Sequence, residues 1–348
     1  MLTPEDIMQL NNFFKLNIKA ATVQKINGGD VNETYIVESE TKKYIIKKIH
    51  DHEYAKDYSV TLKQIISSIT FSEHIAQQLL YTAQVSSALF AQQDCVLKSQ
   101  SGLLIVYPFF SGKIKENNAI SLEMIKKIAA FLALIHHKDF YFDHSFAEEK
   151  MKIFKKIGQE ILDLSLWKKI KSLSHKAYFL PKLNQIAEYL LNNKKTFHEE
   201  IEQLVGNAIC HNDLKPKNVL WTDEQLFAIV DWETTGLFDL HADYLDTLLA
   251  WCTHYNGKKV ILNHEKAQAF IASYPIATQK DLKSKLPLVF IKWYFWLAFC
   301  IKKMIENPKQ WKHYHWHIRY SINFIIFLIN NDIFRQLESI DSMKNPHE

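Results

Sequence analysis

The chain has few of the residues that punctuate regular structure. Among 348 residues there are only 8 glycines and 8 prolines. That scarcity argues against long flexible linkers and favours a helix-rich chain with compact connections. Cysteine is also sparse: Cys95, Cys210, Cys252 and Cys300 stand far apart and show no CxxC spacing. A disulfide scaffold does not fit, and free thiols in a reducing compartment, the cytoplasm, are expected. The opening Met1-Leu-Thr-Pro-Glu-Asp6 lacks a charged segment followed by an apolar one, so no secretory signal is expected. No apolar run is of bilayer length. The most apolar stretch, Leu286 to Ile301, is short and carries Lys292, which suits a buried or partner-facing helix and no membrane span. Neither sign of charge dominates. The net charge is +4 and the lysines fall in scattered pairs such as Lys47-Lys48 and Lys302-Lys303, too mild a bias for a nucleic-acid partner. Internal repeats and low-complexity segments are absent.

What is present is ordinary for a globular protein: 47% hydrophobic and 23% charged residues, on a chain long enough for two lobes and a large core. Thr3-Pro-Glu-Asp starts a short helical pattern. Strand-like runs follow at 21–26, 34–37 and 44–49, with glycines at the first turn, and predict a small antiparallel sheet. A long helical stretch lies near 56–81. Strands return at 95–97 and 103–107, and Pro108 to Gly112 breaks the pattern. From Ser121 onward the pattern is helical, apart from one hairpin near 219–230. The layout is α+β, with a β-rich lobe over 1–107, a hinge at 108–112 and an α-rich lobe over 113–348. Nucleotide pockets favour such clefts.

The densest chemistry lies in Ile209-Cys-His-Asn-Asp-Leu-Lys-Pro-Lys-Asn-Val-Leu-Trp221 and Phe227-Ala-Ile-Val-Asp-Trp-Glu233. Val219–Trp221 and Leu226–Val230 read as the two arms of the hairpin, joined by the polar segment 222–225. If Thr222 pairs with Phe227, Asn218 lies opposite Asp231. An amide oxygen beside a carboxylate makes a hard, oxygen-only site of the kind Mg²⁺ prefers. Asp213, five residues before Asn218, can accept a proton from a hydroxyl as its oxygen attacks phosphorus.

His211-Asn-Asp-Leu-Lys-Pro-Lys-Asn218 with Val230-Asp-Trp-Glu233 resembles the aminoglycoside phosphotransferase and choline kinase-like family, the small-molecule branch of the protein-kinase-like fold. The resemblance implies a two-lobed fold with a small antiparallel β lobe and a larger, mainly helical one. It implies ATP and Mg²⁺ as cofactors, Asp213 as catalytic base, Asn218 and Asp231 as metal ligands, and His211 as organiser of the loop. Asp239 and Asp243 fit the branch's Gly-Asp-Pro…Asp-Leu-Ala segment, with Phe238, Leu240 and Tyr244 departing from it, so a structural role is expected for both. Protein kinases share the loop, but Asp-Trp-Glu replaces Asp-Phe-Gly, no Ala-Pro-Glu follows, and no Gly-x-Gly-x-x-Gly lies near the N-terminus.

In the first lobe, Gly28-Gly29-Asp-Val-Asn32 followed by Tyr35 matches the branch's pattern. Gly28 and Gly29 permit backbone close to phosphate, and Asn32 can donate to it. Lys47 sits on an apolar strand, and the resemblance gives it the α- and β-phosphates and a helix carboxylate. Lys48 competes, since a shift of one residue swaps the two faces. Glu73 is the expected carboxylate, ahead of Glu53. Adenine should meet backbone groups near Tyr107 to Ser111.

The acceptor site is expected in the second lobe. The acidic set there is Asp231, Glu233, Asp239, Asp243 and Asp246. Its aromatics include Trp251, Tyr255, Trp293, Tyr294, Trp296, Trp311, Tyr314 and Trp316. Aromatic faces with carboxylates suit an ammonium group, although large aromatics more often fill cores. The expected activity is transfer of the γ-phosphate of ATP to a small-molecule hydroxyl, with Lys215 joining Lys47 in stabilising the transition state. An amino alcohol such as choline or ethanolamine, or an amino sugar or aminoglycoside, is the expected acceptor. Homoserine and hexosamine kinases are alternatives, as are a protein or lipid kinase and a nucleotide-binding pseudokinase. Glu199-Glu200-Ile-Glu202 is more simply a solvated helix face. His313, His315 and His317 alternate on a helix, where positions two apart do not share a face, so a metal triad is not expected. Nothing in the pattern specifies an oligomeric state.

Overall fold

A computed structural model of the chain describes residues 1–26, 31–40, 42–162, 180–274, 279–330, 333–334 and 337. In chain order, the first elements are α1 (Pro4–Phe14), β1 (Gln24–Ile26), β2 (Glu33–Glu38), β3 (Lys43–Ile49), α2 (Asp51–Tyr58) and α3 (Leu62–Leu79). They are followed by β4 (Val96–Ser99), β5 (Gly102–Pro108), α4 (Leu122–His137), α5 (His144–Leu162), α6 (Leu180–Asn192) and α7 (Lys194–Glu202). Next come β6 (Ala208–Cys210), β7 (Val219–Thr222), β8 (Gln225–Ile229), β9 (Gly236–Phe238), α8 (Leu240–Cys252), β10 (Thr253–Tyr255) and β11 (Val260–Leu262). The last are α9 (His264–Ser273), α10 (Gln279–Ser284), α11 (Leu286–Glu306) and α12 (Trp311–Ile329). The chain divides into two compact units: Met1–Lys115 with Asp139–Lys150 and Pro216–Gly236, and Glu116–Lys138 with Met151–Lys215 and Leu237–Glu348.

The first unit is built on an antiparallel sheet in the order β1-β2-β3-β5-β4. Side chains alternate across it. Ile46, Tyr35, Leu104 and Val106 share one face, where Ile7 and Leu10 of α1 cover them. Ile49, Leu103 and Ile105 face the other way and pack with Ile65 and Ile69 of α3. By the same alternation, Lys48 lies on the α1 face and donates to the Met1 carbonyl at 3.2 Å, while Lys47 lies on the α3 face. Thr3 and Thr61 start α1 and α3 with capping boxes, closed by Asp6 and Gln64. The helical stretch expected as continuous over 56–81 is divided. Ser59 ends α2 in the left-handed region at φ 52°, and Thr61 restarts the helix.

The hairpin β7–β8 belongs to this unit, and its register differs from the sequence expectation. Thr222 pairs with Gln225, not Phe227, leaving a two-residue turn. Asp223 makes that tight turn at φ 52°. Beyond Trp221↔Leu226 the register slips, so that Leu220 faces Ala228 and Val219 faces Ile229. The extra residue is Phe227, a bulge. Asn218 consequently lies level with Val230, whose N–H donates to the Asn218 carbonyl at 3.0 Å, and not with Asp231.

In the second unit α9 packs on α4, and α11 and α12 form an antiparallel pair across the turn at Asn307 to Gln310. Phe290, Tyr294, Leu297, Cys300, Ile322 and Phe324 are buried there. Among the described residues, no helix is long and apolar enough to cross a membrane. Cys95, Cys210, Cys252 and Cys300 are free and buried.

Gly102 is the position that most needs glycine. Its φ is +129°, and a Cβ there would lie 2.4 Å from the Ile49 carbonyl oxygen. Gly102→Ala is expected to destabilise the protein by about 2 kcal/mol or more. Urea unfolding checks this, and a change below about 0.5 kcal/mol, the range of an ordinary surface substitution, contradicts it.

Candidate active site

In the first unit, chemistry converges on Lys47. Its ammonium is 2.7 Å from an Asp231 carboxylate oxygen and 2.9 Å from a Glu233 oxygen. Burial alone would lower the Lys47 pKa, but the two carboxylates more than offset it and hold the group firmly charged. Asp231 follows β8 in the left-handed region at φ 67°, which heads the single 3-10 turn Trp232–Thr234. A non-glycine residue in that region stores local strain, a feature that gathers at functional sites. Asn32 is buried and its side-chain amide donates to Glu233 at 3.2 Å. Glu233 thus bridges two residues expected to meet nucleotide phosphate.

Glu73 is fully buried on α3, and its recorded partners are not Lys47. One carboxylate oxygen accepts the Ala88 N–H at 2.7 Å and the other the Tyr107 hydroxyl at 2.8 Å. Burial pushes its pKa up to about 7, against these hydrogen bonds and the Lys47 charge. Glu53 is exposed. Lys150, from the first turns of α5, donates to Ser72 Oγ at 2.6 Å, to the Glu233 carbonyl at 2.8 Å and to the Thr235 carbonyl. Burial pushes its pKa down to about 7, against the charges of Glu233 and Glu73. The sequence did not single out Lys150, and it named Glu233 only within the acidic set expected near the acceptor. Glu233 was at least visible inside the Asp-Trp-Glu string, whereas Lys150 looks like any other lysine of an amphipathic helix. Gly28 and Gly29 lie outside the described residues.

Asn218 ends a 3-10 turn, Pro216–Asn218, and is buried. With Asp231 it offers oxygen donors, an amide and a carboxylate, within one unit. The donor chemistry fits a hard divalent cation such as Mg²⁺, which takes oxygen ligands and keeps water and phosphate in its remaining positions.

In the second unit the loop after β6 carries Asp213. Asn212 turns the chain at φ 63°, and its N–H donates to Asp243 at 3.1 Å. His211 is fully buried and its Nδ1 accepts the Asp213 N–H at 3.4 Å. Trp251, on α8, donates from its indole N–H to the Leu214 carbonyl at 2.8 Å. The loop backbone is therefore held on both sides of Asp213. Asp243 is held in turn by His136, whose Nε2 lies 3.1 Å from it and whose Nδ1 lies 3.1 Å from the Tyr274 hydroxyl. Burial would raise the Asp243 pKa, but the His136 hydrogen bond and the charges around it keep it below the usual range. His136, Cys210 and Asp243 cluster closely enough to invite a metal. Both His136 nitrogens already have partners and burial pushes the Cys210 thiol far up, which disfavours the thiolate a metal needs. Asp239 caps α8 through the N–H groups of His241 and Ala242.

The Asp213 carboxylate pairs with Lys215 at 2.7 Å. The Lys215 ammonium lies 4.7 Å from the centre of the Trp293 ring. Trp293 donates to Asp246 at 2.9 Å and stacks on Phe324 with ring centres 3.9 Å apart. Of the aromatics that stood out in the sequence, Trp251, Trp293, Tyr294 and Tyr314 are buried, while Trp316 is exposed. Tyr320 links Trp293 to Trp316, stacking on the latter at an interplanar angle of 2°.

Residues 22–268 match the model of a phosphotransferase enzyme family, and the chain belongs to that family. No curated protein sequence matches the chain. Among solved structures, a spectinomycin phosphotransferase complexed with ADP and spectinomycin is similar at a TM-score of 0.62 and 15% identity, covering 97% of this chain and 99% of that one. An ethanolamine kinase from Plasmodium vivax is similar at 0.56 and 15%, covering 92% and 84%. A choline kinase from Streptococcus pneumoniae is similar at 0.55 and 13%, covering 94% and 98%. At such identities the likeness concerns the fold, which is the kinase-like one: a small antiparallel sheet with a mainly helical remainder.

The raised Glu73 carboxyl gives the stability a pH dependence with a definite sign. Its folded value of about 7 exceeds the ordinary 4.5, so the fold disfavours the charged form. Stability contributed by neutral Glu73 is present below about pH 4.5 and is lost as pH rises through about 7, by no more than roughly 3 kcal/mol. Glu73→Gln removes this titration. Urea unfolding at pH 5 and pH 8 should show the variant gaining on the parent at the higher pH; an equal difference at both contradicts the assignment.

Proposed function

We propose that the protein is an ATP- and Mg²⁺-dependent phosphotransferase whose acceptor is the hydroxyl of a small amino alcohol, such as choline or ethanolamine. The observation that carries the acceptor class is the Asp213–Lys215–Trp293 arrangement: a carboxylate beside an aromatic face that already holds an ammonium at 4.7 Å. A cation on such a face is stabilised by the ring's quadrupole. In this reading Lys215 turns its charge toward the transferred phosphoryl group, and the acceptor's ammonium takes its place on Trp293. Asp213 orients the acceptor hydroxyl and accepts its proton.

Lys47 and Asn32 receive the nucleotide phosphates, exchanging their present carboxylate partners for phosphate oxygens. Gly28 and Gly29 let the backbone approach them, Glu73 acts on Lys47 from α3 through its charge while its oxygens hold Ala88 and Tyr107, and backbone groups from Tyr107 to Ser111 meet adenine. Asn218 and Asp231 hold the metal, which when bound supplies charge neutralisation across the phosphates. His211 and Asp243 do not touch the reacting atoms in this scheme; they fix the loop that aims Asp213. An aminoglycoside acceptor calls for exposed carboxylates around a wide cleft, for which Glu199, Glu200 and Glu202 are the candidates, and it draws less support because Glu200 is paired with Lys285 and Glu202 is engaged by Gln159.

The test is ADP release over a panel of choline, ethanolamine, homoserine, hexosamines, aminoglycosides and a generic protein substrate. Release dependent on choline or ethanolamine is expected. Release with another small alcohol overturns the acceptor class alone. Release with none, alongside measurable ATP binding, identifies a nucleotide-binding pseudokinase and overturns the activity. With the true acceptor, Asp231→Ala is expected to raise the Mg²⁺ requirement by about a hundredfold or more, beyond the ~10–100-fold of outer-shell changes. An unaltered Mg²⁺ titration contradicts the ligand assignment.

A further inference from the structure

A second cation in the first unit has no place in the scheme above. The Lys150 ammonium meets acceptors from two directions: Ser72 Oγ on α3, and the Glu233 and Thr235 carbonyls of the turn after Asp231. Ser72 Oγ also donates to the Thr235 carbonyl at 3.2 Å, closing the network. The fit around the Lys150 stem is tight. A Cβ on Gly236 would lie 3.3 Å from Lys150 Cδ, and the ammonium sits 5.8 Å from the centre of the Phe71 ring.

Two features make this more than a satisfied buried amine. The bonded carbonyls follow Asp231 by two and four residues, so they fix the backbone on the C-terminal side of a residue held in a left-handed conformation at φ 67°. A turn that short cannot satisfy its own carbonyls with a regular ladder, and unpaired buried carbonyls are costly. The other contact, Ser72, is the immediate neighbour of Glu73. One ammonium therefore ties the turn bearing Asp231 to the helix bearing Glu73.

We propose that Lys150 is a positioning residue for Asp231: its ammonium holds the 231–235 turn against α3 and so presets the Asp231 carboxylate for a divalent cation. This rests on the reading of Asp231 as a metal ligand. Groups that orient a ligand are typically worth about 10–100-fold in metal affinity.

The experiment measures binding of a fluorescent ATP analogue to the full chain, with and without Mg²⁺, and needs no turnover. Lys150→Met keeps the length of the stem and removes the ammonium. The Mg²⁺ concentration for half-maximal enhancement of nucleotide binding is expected to rise about tenfold or more, while Mg²⁺-free binding, which leans on Lys47 and Asn32, stays within about twofold of the parent. Lys150→Arg, which keeps a cation, should recover part of the loss. A role confined to stability would lower the thermal midpoint and leave the Mg²⁺ midpoint in place, and that result overturns the proposal. Should Lys150→Met fail to fold, Gly236→Ala asks the same question by crowding the lysine stem. It is expected to raise the Mg²⁺ midpoint, and an unmoved midpoint overturns the proposal. If the parent protein itself shows no Mg²⁺ enhancement, the metal reading of Asp231 fails, and the role of Lys150 falls with it.

Discussion

A lysine placed on the apolar face of a sheet must find negative charge, and the first unit is organised around that requirement. β3 pairs with β2 and β5 in a register that leaves Ile49 and Lys47 on the α3 side. The carboxylates come from far along the chain, Asp231 and Glu233, carried by the hairpin β7–β8 and the 3-10 turn after it. Asn32 joins through Glu233. Removing one member of such a group strands the charge of another in a partly desolvated place, which is why paired charges of this kind are harder to lose than to replace as a set. The present partners of Lys47 are protein carboxylates, and an anionic phosphate can take over the same electrostatic role.

The second unit solves a different problem, the aiming of one carboxylate on a loop. Asp243 receives the Asn212 N–H and is itself fixed by His136, which Tyr274 holds at its other nitrogen. Trp251 secures Leu214 on the far side of Asp213. A network whose buried members are all paired is stiff, and a half-paired one is costly. The price of this stiffness is that His136, Asp243 and Trp251 are unavailable for chemistry. Asp213 itself pairs with Lys215, whose ammonium lies over the Trp293 ring.

Much of this was legible in the sequence, for physical reasons. The antiparallel sheet announces itself through period-two alternation, and the loop through the order of His211, Asp213, Asn218 and Asp231. A structural role for Asp239 and Asp243 was expected because the residues around them depart from the family's pattern; in the structure Asp239 caps α8 and Asp243 accepts the Asn212 N–H. The hairpin register was not legible. It depends on Asp223 adopting a left-handed conformation, which Asp tolerates in many turn types, and on one extra residue at Phe227, which no local pattern marks. The short strands β6, β9, β10 and β11 have three residues each, too few for periodicity to show. The engagement of Glu73 by Tyr107 and Ala88 required coordinates, because it joins a helix to a strand and a loop that no local pattern connects. Lys150 was invisible for the same reason: its meaning comes entirely from the carbonyls it reaches.

The central claim is that Asp213 acts as the base for a phosphoryl transfer supported by Lys47, Asn218 and Asp231. The most direct measurement compares turnover and nucleotide binding in Asp213→Asn with the parent, at saturating ATP, Mg²⁺ and acceptor. The account predicts a fall in kcat of about 10²–10⁴-fold with the affinity for Mg·ATP within about twofold of the parent's. Turnover retained at the parent's rate would contradict it.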